Sequence, residues 1–295
     1  MLPILPNPWE SAGLPDEEVP AEQPRTAQFL APEGFRLGDL ATPVLYLGQR
    51  ARTANLPALK EAQEMETAGR DRKDIWSVAG WGRQKDGSWE WELSDNRATL
   101  NPEAAMNPRG TTLGELLNHS ELFDAHPDLR NIIIELGPLT DADAEYHQPT
   151  RGSPEKIVIS DALRGRAVLS RLLHEVQHAI QYREGFAPGS SEQWMQREIY
   201  GPGRVPPDWP RDAFTAYLNS LGEVKARDVE ARMDWSPEQR RAWPPWETER
   251  PTRDLQIVPP LIGFEPALPD IPLPRPRPRA SDIPIPRPRP PIFFP

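Results

Sequence analysis

The stretch Leu172-Leu173-His174-Glu175-Val176-Gln177-His178-Ala179-Ile180 contains a His-Glu-x-x-His motif. In an α-helix, residues four positions apart lie one above the other on the same face, so His174 and His178 can bind one tetrahedral metal ion, usually Zn²⁺. Glu175 lies beside the first histidine, where its carboxylate can accept a proton from a metal-bound water. The motif therefore predicts a hydrolytic zinc site with Glu175 as its general base.

The apolar residues around the motif predict the helix that it needs. They recur at the spacing of one buried helical face, at Leu169, Leu172, Leu173, Val176 and Ile180. On a helical wheel the two histidines lie roughly opposite this stripe, so core packing does not explain them. We expect a helix that buries one side and presents two imidazoles and a carboxylate on the other.

The composition excludes several classes of protein. The chain has 295 residues and no cysteine, so disulfides and thiolate metal ligands are absent. Its net charge of −10 argues against nucleic-acid binding by the body of the protein. No apolar run approaches membrane-spanning length, and the proline-broken start lacks a basic leader, so neither a transmembrane segment nor a signal peptide is expected. These features predict a protein of the cytoplasm.

Local patterns predict an α+β protein that is mostly helical and has a small β-sheet. Helices are expected at 56–68, 74–79, 111–126 and 212–234, a tryptophan hairpin at 81–92, and strands at 132–136 and 156–160. A mini-core is the favoured role for the hairpin tryptophans, with ligand binding as the alternative. The strand at 156–160 directly precedes the motif helix and could pair with an extended peptide.

Both ends of the chain are rich in proline, which accounts for 38 of its residues. Residues 1–45 are predicted to be a flexible leader, and residues 259–295 a disordered Pro/Arg-rich tail. From Ile271 onward the tail holds ten prolines and five arginines against one aspartate. This pattern predicts extended polyproline II, a conformation that aromatic grooves bind, so the tail is a candidate to bind an unidentified partner.

The chain resembles the metallopeptidase-like domains of large polyvalent proteins from phages, plasmids and other mobile elements. The segments that carry the resemblance lie between roughly residues 50 and 258, at 75–76, 80–81, 89–95, 113–117, 127–130, 173–181, 183–186 and 222–227. The segment around the metal motif is highly specific, whereas the tryptophan segment is moderately so. The resemblance implies a zincin-like fold, with a small helical and hairpin unit at 46–100 and a metallopeptidase domain at 101–258.

A catalytic zinc site of this kind needs a third protein ligand, which must here be His, Asp or Glu. Glu223 is predicted, because it lies opposite the apolar side of its helix and heads the Gly222-Glu223-Val224-Lys225-Ala226-Arg227 segment that matches the family. A glutamate from a second helix resembles the gluzincin arrangement. Glu230 and His147 are the main alternatives, and His119 and His126 are the remaining histidines.

Further residues are candidates to support the site. Gluzincins commonly have a carboxylate four residues after the glutamate ligand, but Arg227 occupies that position here, and Asp228 follows it. Asp228 is therefore the candidate to orient a histidine, and Arg227 is expected to pair with whichever of Glu223 and Glu230 does not bind the metal. The candidates to stabilise an oxyanion, each more often structural than catalytic, are Tyr217, Tyr182 and His147.

These observations leave three functions open. The first is a zinc-dependent metallopeptidase that acts on a peptide or protein substrate. The second is a catalytically inactive module that binds zinc in order to fold, although a purely structural site has no need of Glu175. The third is an interaction protein that acts through its Pro-Arg tail, and this function is compatible with the first.

Overall fold

The computed structural model describes residues 44–94, 99–105, 110–140, 142–200, 210–233, 235–236, 239–240 and 243–259. These residues form a mixed α and β protein with small sheets, as predicted. The predicted leader and the Pro-Arg tail lie outside the described residues, apart from their inner ends. Within the described ranges, every helix is too short or too polar to cross a lipid bilayer.

The described chain begins with a three-stranded antiparallel sheet and two helices. Strand β1 (Val44–Leu47) precedes helices α1 (Leu56–Thr67) and α2 (Arg72–Ala79), and strands β2 (Trp81–Arg83) and β3 (Trp89–Ser94) form the predicted hairpin, in the order β1-β3-β2. Gly87 adopts φ = 88° in the tight turn between them, a left-handed conformation that costs glycine little. The predicted mini-core is confirmed, because Trp81 packs with Leu59, Ala62 and Ile75.

The helix predicted from Thr111 to residue 126 is wrong. The chain instead forms β4 (Thr99–Leu100), α3 (Pro102–Ala105), β5 (Thr111–Thr112), α4 (Leu113–Leu116), β6 (Leu117–Asn118), α5 (Ser120–Ala125) and a 3₁₀ turn (Pro127–Asn131). Thr112, not Thr111, is the N-cap of α4, where it forms a capping box with Glu115. Pairing of β6 with β4 interrupts the helical pattern, because tertiary pairing overrides local propensity.

A four-stranded mixed sheet lies against the motif helix. Its order is β5-β7-β9-β8, with β7 (Ile133–Gly137) and β9 (Lys156–Ser160) parallel and the other pairs antiparallel. The strands at 132–136 and 156–160 are thus confirmed, and the structure adds β8 (Ala144–His147) between them in sequence, where no strand was predicted. Because β9 pairs on both sides, it cannot accept a peptide strand, and β8 is the edge of the sheet instead.

The His-Glu-x-x-His motif lies within helix α6 (Arg166–Glu184). The predicted apolar stripe is completely buried in the main core, which also includes residues of β1, β7 and β9. The helix ends at Gly185, where φ is 73° and the amide donates to the carbonyl of Gln181. One core therefore contains residues from both the predicted 46–100 unit and the predicted 101–258 domain.

The helix predicted at 212–234 is two helices, α8 (Ala213–Asn219) and α9 (Leu221–Arg232), which follow the short helix α7 (Glu192–Trp194). Ser220 between them is extended and pairs with Ile257, whose carbonyl accepts from the Leu221 amide at 2.8 Å. The apolar residues expected on one side of a single helix are therefore divided between two helices and differ in burial. Phe214 in α8 is 51% exposed, whereas Leu221 and Val224 in α9 are buried.

Helix α9 is tied to the N-terminal sheet by a buried charge. The Lys225 ammonium contacts Glu90 of β3 and donates to Glu249, which follows the short helix α10 (Pro245–Thr248), at 2.9 Å. It also lies 3.6 Å from the ring centroid of Tyr46, a cation–π contact. A buried ammonium needs such partners, so this cluster fixes α9 relative to β1 and β3.

Candidate metal centre

Helices α6 and α9 pack side by side and bring three potential metal ligands together. The Nε2 atom of His174 lies 3.5 Å from one carboxylate oxygen of Glu223, and the Nε2 atom of His178 lies 3.4 Å from the other. Ligand atoms of the three residues all lie within 4.8 Å of one another. Tetrahedral zinc with bonds of about 2.0–2.1 Å separates its ligands by about 3.3 Å, so the geometry fits one such ion.

Each histidine is oriented through its other ring nitrogen. The Nδ1–H of His174 donates to Glu230, whose carboxylate can only accept. The Nδ1–H of His178 donates to the Gln181 side-chain oxygen at 2.9 Å, and the Gln181 amide group donates to the Gly222 carbonyl at 2.8 Å, which fixes the amide orientation. These bonds select the tautomer whose Nε2 lone pair faces Glu223.

The electrostatics of the cluster favour anionic Glu223 and cationic histidines. Burial opposes ionisation of Glu223, but His178 and His174 outweigh it and lower the pKa of the carboxyl. Burial also opposes charge on His174, but hydrogen bonds to Glu223 and Glu230 raise its pKa to about 10. A metal ion and a proton compete for the same Nε2 atoms, so metal binding at this site would release protons.

Glu175 faces the same cleft from α6. Its side chain is 5% exposed and lines a cleft of about 970 Å³, together with the three potential ligands and Tyr217 of α8. Burial raises the pKa of Glu175, and the neighbouring histidines oppose that shift. Burial, followed by the charge of Glu223, raises the pKa of Tyr217 to about 12, so its hydroxyl stays protonated and can donate.

The other residues predicted to support the site do not contact its three potential ligands. His147 is on the rim of the cleft, where its Nε2 lies 3.2 Å from Glu145. Tyr182 is buried and does not line the cleft. Asp228 accepts a hydrogen bond from the Tyr46 hydroxyl at 2.5 Å instead of contacting a histidine. Of the three oxyanion candidates, Tyr217 is the one that lies in the cleft beside Glu223.

The remaining histidines are structural. The buried His119 accepts the Leu122 amide at 3.4 Å, at the start of α5. His126 lies 2.8 Å from Glu184 through its Nε2 atom and is also buried. Neither lines the cleft that contains the motif.

Glu230, which the sequence offered as a competing ligand, instead orients His174. The prediction that Arg227 would pair with a free carboxylate is wrong, because its guanidinium donates to the Leu218 carbonyl. Arg171 of α6 takes that place and donates to Glu230 at 2.6 Å. Two helical turns separate Glu223 from Glu230, so they contact opposite edges of one imidazole ring.

The role of Gln181 in orienting His178 was not predicted. Its position three residues after His178 could have indicated this role, because side chains at that spacing on a helix can contact each other.

Two glycines allow the loop after α6 to approach the metal centre closely. An added Cβ on Gly189 would lie 2.5 Å from the His178 ring, and one on Gly222 would lie 2.1 Å from the Pro188 carbonyl oxygen. Beside this contact, the Ser190 amide donates to Glu223 at 2.8 Å. The loop therefore holds Glu223 in place only because both positions lack a side chain.

We expect the substitution Gly222→Ala to destabilise the protein. Alanine is normally preferred over glycine in a helix by about 1 kcal/mol, but here its Cβ would meet rigid backbone. Overpacking of this kind costs about 1–3 kcal/mol, which reverses the sign. Urea unfolding measures the effect, and Gly152→Ala is the control because an added Cβ there meets nothing within 4 Å. Equal stability of the two variants would contradict the close approach.

Residues of the N-terminal sheet form hydrogen bonds and an ion pair with α6 and α9, the two helices that carry the potential ligands. The backbone amide of Tyr46 donates to the Gln177 side chain at 2.9 Å, and the Gln177 side chain returns a bond to the Tyr46 carbonyl at 3.1 Å. Gln177 lies between the motif histidines in sequence, so strand β1 is bonded directly to the motif helix. The Tyr46 hydroxyl and Glu90 hold α9 through Asp228 and Lys225.

This supporting segment is also the part of the chain that matches a known family. Residues 44–101 match the model of large polyvalent protein associated domain 23. The match supports the resemblance to large polyvalent proteins and does not extend to the metal motif. No curated protein and no solved structure matches this chain.

Proposed function

We propose that this protein is a zinc-dependent metallopeptidase of the zincin type, gluzincin-like in its ligand set. The observation that carries the proposal is the convergence of the His174 and His178 Nε2 atoms on the Glu223 carboxylate at 3.4–3.5 Å, with Glu175 beside them in an open cleft. Three protein ligands and an accessible fourth position are typical of catalytic zinc sites, whereas structural sites usually have four protein ligands.

The residues present fit zinc and its chemistry. Once Nε2 has lost its proton to solvent, each imidazole offers a lone pair to a metal ion, and Glu223 supplies one negative charge. When bound, zinc would polarise the scissile carbonyl and lower the pKa of water in the cleft. Glu175 accepts the proton from the attacking water and returns it to the leaving amine. Tyr217 donates its hydroxyl hydrogen to the oxygen on which negative charge develops.

The edge strand β8 suits a peptide substrate. Residues 142–148 line the cleft, and within the described residues β8 pairs only with β9. An extended peptide can therefore add to its open edge through main-chain hydrogen bonds. Such bonds do not depend on side chains, so we propose that β8 aligns the substrate backbone across the metal centre.

Metal analysis of the purified protein tests this proposal. We expect about one zinc ion per chain in the wild type and a loss of most of it in His178→Ala, which removes a ligand. His147→Ala is the matched control, because His147 lies on the cleft rim outside the ligand cluster and should leave the zinc content unchanged. Negligible zinc in the wild type after reconstitution with zinc would refute the proposal.

A further inference from the structure

The cleft around the metal centre is acidic. Five carboxylates and one guanidinium line it, and no lysine does. Glu223 and Glu175 lie at its floor, whereas Asp143, Glu145 and Glu192 lie on its rim and are exposed. A bound metal ion would balance charge at the floor only. On the rim, Asp143 pairs with Arg171 at 3.0 Å and Glu145 lies 3.2 Å from His147. Three carboxylates against one guanidinium still leave the rim with a net negative charge, which favours a cationic occupant.

The same cleft has aromatic walls. Trp194, Phe214 and Tyr217 line one side, and Tyr146 of β8 lines the other. The rings of Phe214 and Tyr217 have their centroids 6.3 Å apart, and Phe214 is 51% exposed. Exposed aromatic residues beside a groove are the usual binding surface for proline-rich segments in the polyproline II conformation.

The chain itself contains a segment with both matching properties. Its Pro-Arg segment, residues 271–295, alternates proline with arginine at 274–279 and again at 286–290. The chain leads toward this segment from the cleft, because Pro259, the last residue that the structure describes, is part of the cleft lining. Residues 260–270 can span up to about 35 Å, which is enough for the segment to turn back into the cleft.

We propose that the Pro-Arg segment binds in this cleft of its own chain. Its prolines pack against the aromatic walls, and its arginines pair with the carboxylates of the rim. A short tether raises the local concentration of the segment to about the millimolar range, so weak contacts suffice. If the proposed peptidase function holds, the bound segment covers strand β8 and competes with substrate.

Cross-linking in the full chain tests this proposal without any activity measurement. The wild type has no cysteine, so two introduced cysteines are the sole thiols. One variant combines Gln193→Cys on the cleft rim, which leaves the rim carboxylates in place, with Ser281→Cys between the two Pro-Arg runs. Its matched control combines Gln63→Cys, an exposed helical glutamine that does not line the cleft, with the same Ser281→Cys. A short bismaleimide and mass spectrometry report links within one chain.

We expect the rim variant to link at least about tenfold faster than the control. High salt, or replacement of the five tail arginines by serine, should remove most of this difference, because the attraction is partly electrostatic. Equal rates in the two variants, links only between chains, or a preference that survives the serine replacements would each overturn the proposal. Cross-linking without zinc binding would leave it intact while refuting the peptidase function, so the two failures are distinguishable.

Discussion

Glu175→Gln is expected to abolish most hydrolysis and leave the zinc content unchanged. The amide has nearly the same size as the carboxylate but cannot accept the proton of the attacking water. Loss of a general base usually lowers the rate by about 100- to 10,000-fold. Because Glu175 is not among the converging ligand atoms, the metal should remain bound. The measurement compares kcat/KM for cleavage of fluorogenic peptides with zinc content in the same preparations.

The control for lost charge is Glu135→Gln, which removes an exposed carboxylate paired with Lys156 away from the cleft lining. This variant should cleave as fast as the wild type. Turnover that is unchanged in Glu175→Gln would exclude the proposed mechanism. A wild type that binds zinc but cleaves no member of a peptide library would instead favour the alternative of a zinc-stabilised binding module.

Substitution of Glu223 and of Glu230 in α9 is expected to show that the first binds the metal and that the second orients His174. Glu223→Gln replaces the anionic ligand by a neutral amide, whereas Glu230→Gln keeps an oxygen that can accept from His174. Residues that orient a ligand usually change metal affinity by about 10- to 100-fold when altered. We expect Glu230→Gln to fall within that range and Glu223→Gln to exceed it. Competition with a fluorescent zinc indicator measures both affinities.

The two substitutions are matched in chemistry, helix and burial, since both carboxylates are nearly inaccessible, at 3% and 4% of the side chain. The difference between them therefore reports their roles and not a general loss of buried charge. A larger loss of affinity in Glu230→Gln than in Glu223→Gln would reverse the assignment. Undiminished zinc affinity in Glu223→Gln would remove it from the ligand set.

Features that depend on local periodicity were predictable from the sequence. The apolar stripe of α6 determined which side enters the apolar core and hence that His174 and His178 share the other. The Asp86–Gly87 turn and the alternating tryptophans likewise predicted the hairpin that the structure contains. Glu223 was predicted as the third ligand from the resemblance of its segment and from the apolar side of one continuous helix, with Glu230 and His147 as the competing possibilities. The structure places Glu223 near both histidines, but on α9, which is separate from the helix that carries Phe214.

Features that depend on pairing between distant segments were not predictable. Ser220 interrupts a continuous helical pattern because it pairs with Ile257. Residues 144–147 form strand β8 because they pair with β9, and β8 is last in the strand order and so lies at the edge of the sheet. Glu230 reaches His174 only through the packing of α9 against α6. No local pattern encodes these contacts.

The sequence by itself therefore determined the helix that carries the His-Glu-x-x-His motif, the side of that helix on which His174 and His178 lie, and the charge of the chain. These follow from residue identity and from the 3.6-residue period of the helix. Tertiary structure alone decided which carboxylate faces the imidazole Nε2 atoms, which one holds His174 from behind and which aromatic residues form the cleft. The physical reason is that such choices are made by packing and hydrogen bonds between elements, whose energies exceed the local preferences of the segments they join.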